Sequence, residues 1–131
     1  MAKSMLLLFN HTLTDLQKRD ARCALDVDQI KSPPAHIMAL WRQIPAHLPE
    51  IKGFLKPVRA WVEHFSTPGD YVLIQGDFGA TCLMAAFAFQ TKCIPVYSTT
   101  ERIYNELMQP DGSIELRHKF KHCIYRRYEM F

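Results

Sequence analysis

Three short polar stretches, each closing an apolar run, hold the side chains best suited to chemistry: Asn10-His11-Thr12, Gln75-Gly76-Asp77 and Ser98-Thr99-Thr100, with Arg102 two residues further. Together they supply amide, hydroxyl, imidazole and guanidinium groups, and Asp77 is the only acid in the first two. Such groups suit a phosphate–sugar ligand. They also suit metal-free cleavage of RNA by its own 2′-hydroxyl, which needs alignment, one proton acceptor and a cation against the charge growing at phosphorus. His11 is either that acceptor or a histidine bonding turn backbone, and its type alone does not choose between them.

The middle stretch belongs to the block Tyr71-Val72-Leu73-Ile74-Gln75-Gly76-Asp77-Phe78-Gly79-Ala80-Thr81, a buried strand entering a glycine-punctuated turn that opens an apolar helix. Gly76 and Gly79 permit close backbone approach to a ligand, and the first N–H groups of the helix are expected to point out of the turn. A tight strand–helix turn that needs glycine for geometry alone reads the same way. The turn lacks the lysine of a phosphate loop and the third glycine of a dinucleotide fingerprint, so it does not name its ligand.

Other chemistries are poorly supplied. No Gly-x-Ser-x-Gly or other Ser/His/Asp signature occurs, and no cysteine adjoins a strand end beside a histidine. A hard cation would need more carboxylates than these tips provide, so no metal and no other cofactor is expected. Cys23, Cys82, Cys93 and Cys123 follow no zinc or disulfide spacing and read as reduced thiols of a cytosolic protein. Met5–Phe9 is too short for a signal core or a membrane span, so a soluble, cytoplasmic chain is expected. The net charge of +3 is mild but uneven. Arg117, Lys119, Lys121, Arg126 and Arg127, with His118 and His122, form either a charged edge strand that resists aggregation or a surface for a polyanion. No aromatic ladder interleaves them, which disfavours single-strand RNA binding, and no DNA partner is expected.

The elements that must position these groups follow from pattern. With 131 residues, nearly half apolar, the chain has core enough for one domain spanning 1–131. A strand is expected at Met5–Phe9, then a helix behind the capping-box pair Thr14 and Gln17, then a short strand within Asp26–Lys31. Ser32-Pro33-Pro34 opens a helix with Ile37, Leu40, Trp41 and Ile44 on one face. Ile51 to Phe65 has the clearest helical period, with a kink or restart at Pro57. The strand Tyr71–Gln75 leads to a helix over Thr81–Phe89, apolar nearly all round and so expected to be covered on more than one side, a partner subunit included. Ile94–Ser98 is a further strand, ended by Thr99–Arg102. Gln109-Pro110-Asp111-Gly112 marks a hairpin between Ile103–Leu107 and Ile114–Lys119, with Phe120–Tyr128 as another strand. This is an α/β domain with a mainly parallel sheet and a C-terminal antiparallel hairpin edge. Its three polar tips should meet where the winding reverses.

The blocks Leu6-Leu7-Leu8-Phe9-Asn10-His11, Asp70 through Thr81, Ile94-Pro95-Val96-Tyr97-Ser98-Thr99-Thr100 and Phe120-Lys121-His122 together resemble a small CRISPR-associated family, the Csx proteins of type III systems. These are single-domain relatives of the Rossmann-like sensor domains that bind cyclic oligoadenylates. The resemblance runs from Met5 to about Tyr128. It implies a Rossmann-like fold, a homodimer, and a metal-independent ring nuclease that linearises a cyclic oligoadenylate, the tetra-adenylate foremost, to end the defence signal. It points to Asn10-His11-Thr12 and Thr99-Thr100-Glu101-Arg102 as the important tips without settling the catalytic residues. Taken with the chemistry of the tips, His11 is expected to position or deprotonate the attacking 2′-hydroxyl and Arg102 to stabilise the charge at phosphorus. Asn10, Thr12, Gln75, Gly76, Asp77, Phe78, Gly79, Thr99 and Thr100 would hold adenines and phosphates. Arg102 keeps the charge of the lysine expected at its tip but is a poor proton donor or acceptor. Capture of the same ring without cleavage is the alternative.

Overall fold

The computed structural model describes residues 2–131, the side chain at position 118 excepted. The first apolar run forms strand β1 (Lys3–Leu8), in which Met5, Leu6 and Leu8 are wholly buried. A strand apolar on both faces must be covered on both, as in a parallel sheet between helices. Helix α1 (Asp15–Leu25) starts at the expected capping box: the Gln17 amide donates to Thr14 Oγ1 at 3.2 Å, and the Thr14 amide donates to Gln17 Oε1 at 2.9 Å. It ends at Asp26, whose φ of 54° is left-handed, and the chain turns directly into β2 (Val27–Lys31).

Helix α2 (Ala35–Arg42) enters through Pro34 and stops two residues short of Ile44, which still packs on the core. The long periodic stretch after it restarts rather than kinks. Residues 52–55 form turns, and α3 (Lys56–Phe65) carries Pro57 in its first turn, where a missing N–H costs nothing. Strand β3 (Tyr71–Ile74) is entirely buried. Helix α4 (Phe78–Gln90) begins three residues before the expected start because Asp77 caps it. Its buried residues include Met84, Ala85, Phe87 and Ala88, whereas Gly79, Cys82, Ala86 and Gln90 face outward. Within the chain it is therefore covered on one side only.

The largest departure from expectation lies in the C-terminal third. Thr99–Arg102 does not end a strand: β4 runs from Ile94 to Met108, and β5 runs unbroken from Ile114 to Arg127. The change of period is a β-bulge. Ser98 pairs with Tyr125 and Thr100 with His122, two steps on β4 against three on β5. Thr99 Oγ1 bridges the gap, donating to the Ile124 carbonyl and accepting from its amide, both at 3.1 Å.

The strands lie in the order β2-β1-β3-β4-β5, parallel except for the β4–β5 pair. This is a mixed α/β domain built on a mainly parallel sheet. One face packs Leu6, Leu8, Val72 and Ile74 against Trp41, Val58, Val62 and Met84 of α2, α3 and α4. The other packs Met5, Leu7, Leu73 and Val96 against Leu13 and Ala21 on the α1 side. Because β2 and β3 flank β1, the winding reverses at the β1–β3 pair. Among the described residues no helix is long and apolar enough to cross a membrane.

Replacing the α1 cap, Thr14→Ala, should lower stability by about 1 kcal/mol, the usual worth of such a cap. Urea melts of the two proteins check it, with an unchanged midpoint as the contrary result.

Candidate functional site

Past Leu8 and past Ile74 the chain leaves the sheet side by side, because β1 and β3 are paired to their last residues. The gap between the two tips is a crevice of about 160 Å³ lined by Phe9, Asn10, His11, Gln75 and Gly76. His11 is exposed there, its ring meeting Phe9 edge-on with centroids 5.4 Å apart. A larger cavity of about 770 Å³ shares Gln75 and Gly76 with the crevice. Phe78, Thr81, Tyr97, Arg127 and Tyr128 contribute to its walls. Asn10 Oδ1 beside the crevice and Thr81 Oγ1 beside the cavity are buried with no hydrogen-bond partner among the described residues, and buried polar atoms seldom stay so.

Two of the three expected tips therefore converge, and Gln75 joins the third. Its side-chain oxygen accepts from the Ser98 amide at 2.8 Å, its carbonyl accepts from Trp41 Nε1 at 3.0 Å, and its amide donates to the Leu8 carbonyl at 2.9 Å. Gln75 is thus a brace as well as a lining residue.

The glycine turn is shaped by protein rather than left open. A Cβ on Gly76 would lie 3.0 Å from Trp41 Nε1, so the absent side chain makes room for the indole. A Cβ on Gly79 would meet only ordinary contacts, Asp77 Oδ2 at 3.5 Å and Ile51 Cδ1 at 3.6 Å. Asp77 Oδ2 accepts from the Ala80 amide at 3.0 Å. That carboxylate caps the helix and puts negative charge where an anion was expected to sit, so the N-terminus of α4 is not the open donor site that its sequence suggested. Phe78 is almost fully exposed at the cavity rim.

Thr12, Thr99, Thr100 and Arg102 line neither hollow. Thr99 is committed to the bulge. Arg102 stands on the hairpin beyond the parallel sheet, its guanidinium 5.2 Å from the centre of the Phe120 ring. His11 and Arg102 are therefore not assembled into one pocket. The cation present in the cavity wall is Arg127, recognised in the sequence only as part of the basic C-terminal run.

A Ser–His–Asp constellation does exist, contrary to the sequence reading. Ser98 Oγ lies 2.5 Å from His122 Nδ1, and His122 Nε2 lies 2.6 Å from Asp20 Oδ2. Gln17 Nε2 donates to Ser98 Oγ at 3.3 Å, and the Tyr125 hydroxyl donates to the Gln17 carbonyl at 2.9 Å. These contacts span 24 and 102 residues, so no local spacing could reveal them. The one clue was polar Ser98 continuing the alternation of buried Val96. Ser98 and His122 are buried and border neither hollow, so the relay ties α1, β4 and β5 together rather than facing a substrate. Burial first, and then the charge of Asp20, drives the Tyr125 hydroxyl far above its ordinary value. Among the described residues no three His, Cys, Asp or Glu side chains gather where a metal ion could be held.

Tyr128, in the cavity wall, donates to the Ile74 carbonyl at 2.6 Å. Burial, and secondarily Tyr97, pushes its hydroxyl up to about 12 from an ordinary 10.0. The unfolded chain loses that proton near its ordinary value while the folded chain keeps it, so this stabilisation is complete below that value and disappears as pH rises through about 12. Thermal melts at rising alkaline pH should show the loss, less steeply in Tyr128→Phe. The two glycines should also part. Gly76→Ala should cost about 1–3 kcal/mol by overpacking Trp41, and Gly79→Ala should raise stability by about 0.5 kcal/mol through helix propensity. Equal melts for both variants would contradict the packing argument.

No solved structure matches this chain. An uncharacterized protein of Methanocaldococcus jannaschii, MJ1673, is 46% identical over 127 residues, 97% of this chain and 98% of that protein. The aligned length takes in both tips, the cavity wall formed by α4 and the C-terminal hairpin. The family model described as the uncharacterized protein MJ1673 family matches residues 3–126, and the chain belongs to that family.

Proposed function

We propose that this protein is a homodimeric, metal-independent ring nuclease that binds a cyclic oligoadenylate, the tetra-adenylate foremost, and linearises it. One observation carries the reading: the crevice holding His11 and the aromatic-walled cavity holding Arg127 meet at Gln75 and Gly76, at the carboxyl edge where the winding reverses. Ligands of open α/β sheets bind at such a point, and the strand order supports a Rossmann-like domain. Adenines stack on Phe78, Tyr97 or Tyr128, as unpaired bases do on aromatic rings. Adenine amino groups and ribose hydroxyls donate to Asn10 Oδ1 and Thr81 Oγ1, which lack donors among the described residues. His11 takes the proton of a ribose 2′-hydroxyl, whose oxygen attacks the adjacent phosphorus. The bond to the 5′-oxygen breaks, that oxygen takes a proton from water, and a 2′,3′-cyclic phosphate remains. Arg127 offsets the charge at phosphorus, the part that Arg102 was expected to play.

Capture without cleavage is the second reading. What favours it is that, among the described residues, His11 is the only titratable side chain lining the crevice, so none of them stands there as an acid opposite the base.

Labelled rings of several sizes, incubated with the protein in the presence of a chelator, separate the two. Linear products support the nuclease, retained intact ring supports capture, and no retention of any ring removes both. For the nuclease, His11→Ala should slow single-turnover cleavage by roughly 100-fold or more, with a smaller effect on affinity because the proton moves only in the transition state. Arg127→Ala should weaken binding by about 1.5–3 kcal/mol. Cleavage by His11→Ala at the native rate would remove the imidazole from the mechanism.

A further inference from the structure

β4 leaves the parallel sheet after Val96, its last residue paired with β3, and beyond Ser98 only β5 accompanies it. The two strands make an arm of nine residues on β4, Thr100 to Met108, about 30 Å long at the rise of an antiparallel strand. Strand alternation sorts its side chains. On the face continuous with Ser98 and His122 lie Arg102, Tyr104, Glu106 and Met108, in register with Phe120, His118, Leu116 and Ile114. The opposite face carries Glu101, Ile103 and Asn105 against Lys121, Lys119 and Arg117. The first face is rich in apolar groups yet exposed: Met108, Ile114, Leu116 and Phe120 are all open to solvent, Met108 by 80%. A two-stranded ribbon alone in water is marginal, and one with an apolar face needs cover.

The charges on that face indicate what covers it. Arg102 and Glu106 stand two positions either side of Tyr104, on one strand and one face. Consider a second arm laid face to face and antiparallel, related by a two-fold axis crossing the ribbon at Tyr104. Arg102 of each copy then lies opposite Glu106 of the other, Phe120 lies opposite Leu116, and Met108 lies opposite Thr100. Arg102 and Glu106 each meet the opposite charge and Phe120 meets Leu116, the self-complementarity that an isologous contact requires. Among the described residues Arg102 makes no ion pair; it stacks on Phe120, leaving its hydrogen-bonding edge available. We infer that the apolar face of the β4–β5 arm is a homodimer interface, closed by reciprocal Arg102–Glu106 pairs about a two-fold axis at Tyr104. This stands apart from the ligand reading, since a protein that ignores every ring can still pair by its arms.

Charge exchange tests it. In sedimentation velocity over a wide concentration range the native chain should be a dimer. Arg102→Glu alone and Glu106→Arg alone each set like charges against one another twice, and each should raise the dimer dissociation constant about tenfold or more. The double variant, Arg102→Glu with Glu106→Arg, restores both pairs and should return to within about threefold of native. Circular dichroism verifies that each variant is folded. Should a charge variant lose its fold, Leu116→Ser, which removes an exposed apolar group, takes its place and should weaken the dimer. A monomeric native protein overturns the inference, as does a dimer indifferent to the single exchanges, or a double variant that stays as dissociated as the singles.

Discussion

The geometry of the carboxyl edge depends on Gln75, the first residue past β3. Its amide holds the tip to β1, its carbonyl anchors the Trp41 indole of α2, and its side-chain oxygen catches the Ser98 amide of β4. One residue before it, the Ile74 carbonyl takes the hydroxyl of Tyr128. Four separately folded segments are thus fastened within two residues of chain. Each bond is modest alone, but breaking one leaves a partly buried polar group unpaired, which costs more than the bond contributes. Gly76 follows from the same arrangement, because an indole held over the turn leaves no room for a Cβ.

A second polar assembly lies on the other side of the sheet, where Ser98 reaches Asp20 through His122 and accepts directly from Gln17. Ser98 belongs to both assemblies, with its amide in one and its hydroxyl in the other. The base of the arm is therefore tied directly to Gln75, which lines the crevice. Interior polar networks of this kind fix relative positions where apolar packing alone would allow sliding.

Much of the architecture was legible because it is written in local pattern. The Thr14–Gln17 capping box, the unbroken apolar runs of β1 and β3, and the Asp-Gly hairpin turn each announce themselves within a few residues. So did the meeting of Asn10-His11 with Gln75-Gly76, which follows from parallel strands ending together. What stayed hidden depends on partners distant in sequence. Asp77 read as a ligand group because nothing nearby shows that its carboxylate folds back onto Ala80. Arg102 read as part of the site because a strand crossing a bulge looks, in sequence, like a strand that has stopped. The Asp20–His122 contact joins the first helix to the last strand, and only the closed fold brings them within reach.

The bulge at Thr99 has a consequence for how this protein can vary. The bulge absorbs the one surplus residue of β5 and so keeps Phe120, Leu116 and Ile114 on the side of His122. Were the two strands paired regularly with every residue kept, Cys123 would slide opposite Thr100 and the odd and even positions would exchange sides. The row Lys121, Lys119 and Arg117 would rotate onto the apolar side, and Phe120, Leu116 and Ile114 would rotate away. No amino acid would change identity, yet the arm would present a different surface. Loss of one residue between His122 and Tyr125 would do the reverse: it would make the ladder regular and leave both surfaces as they are.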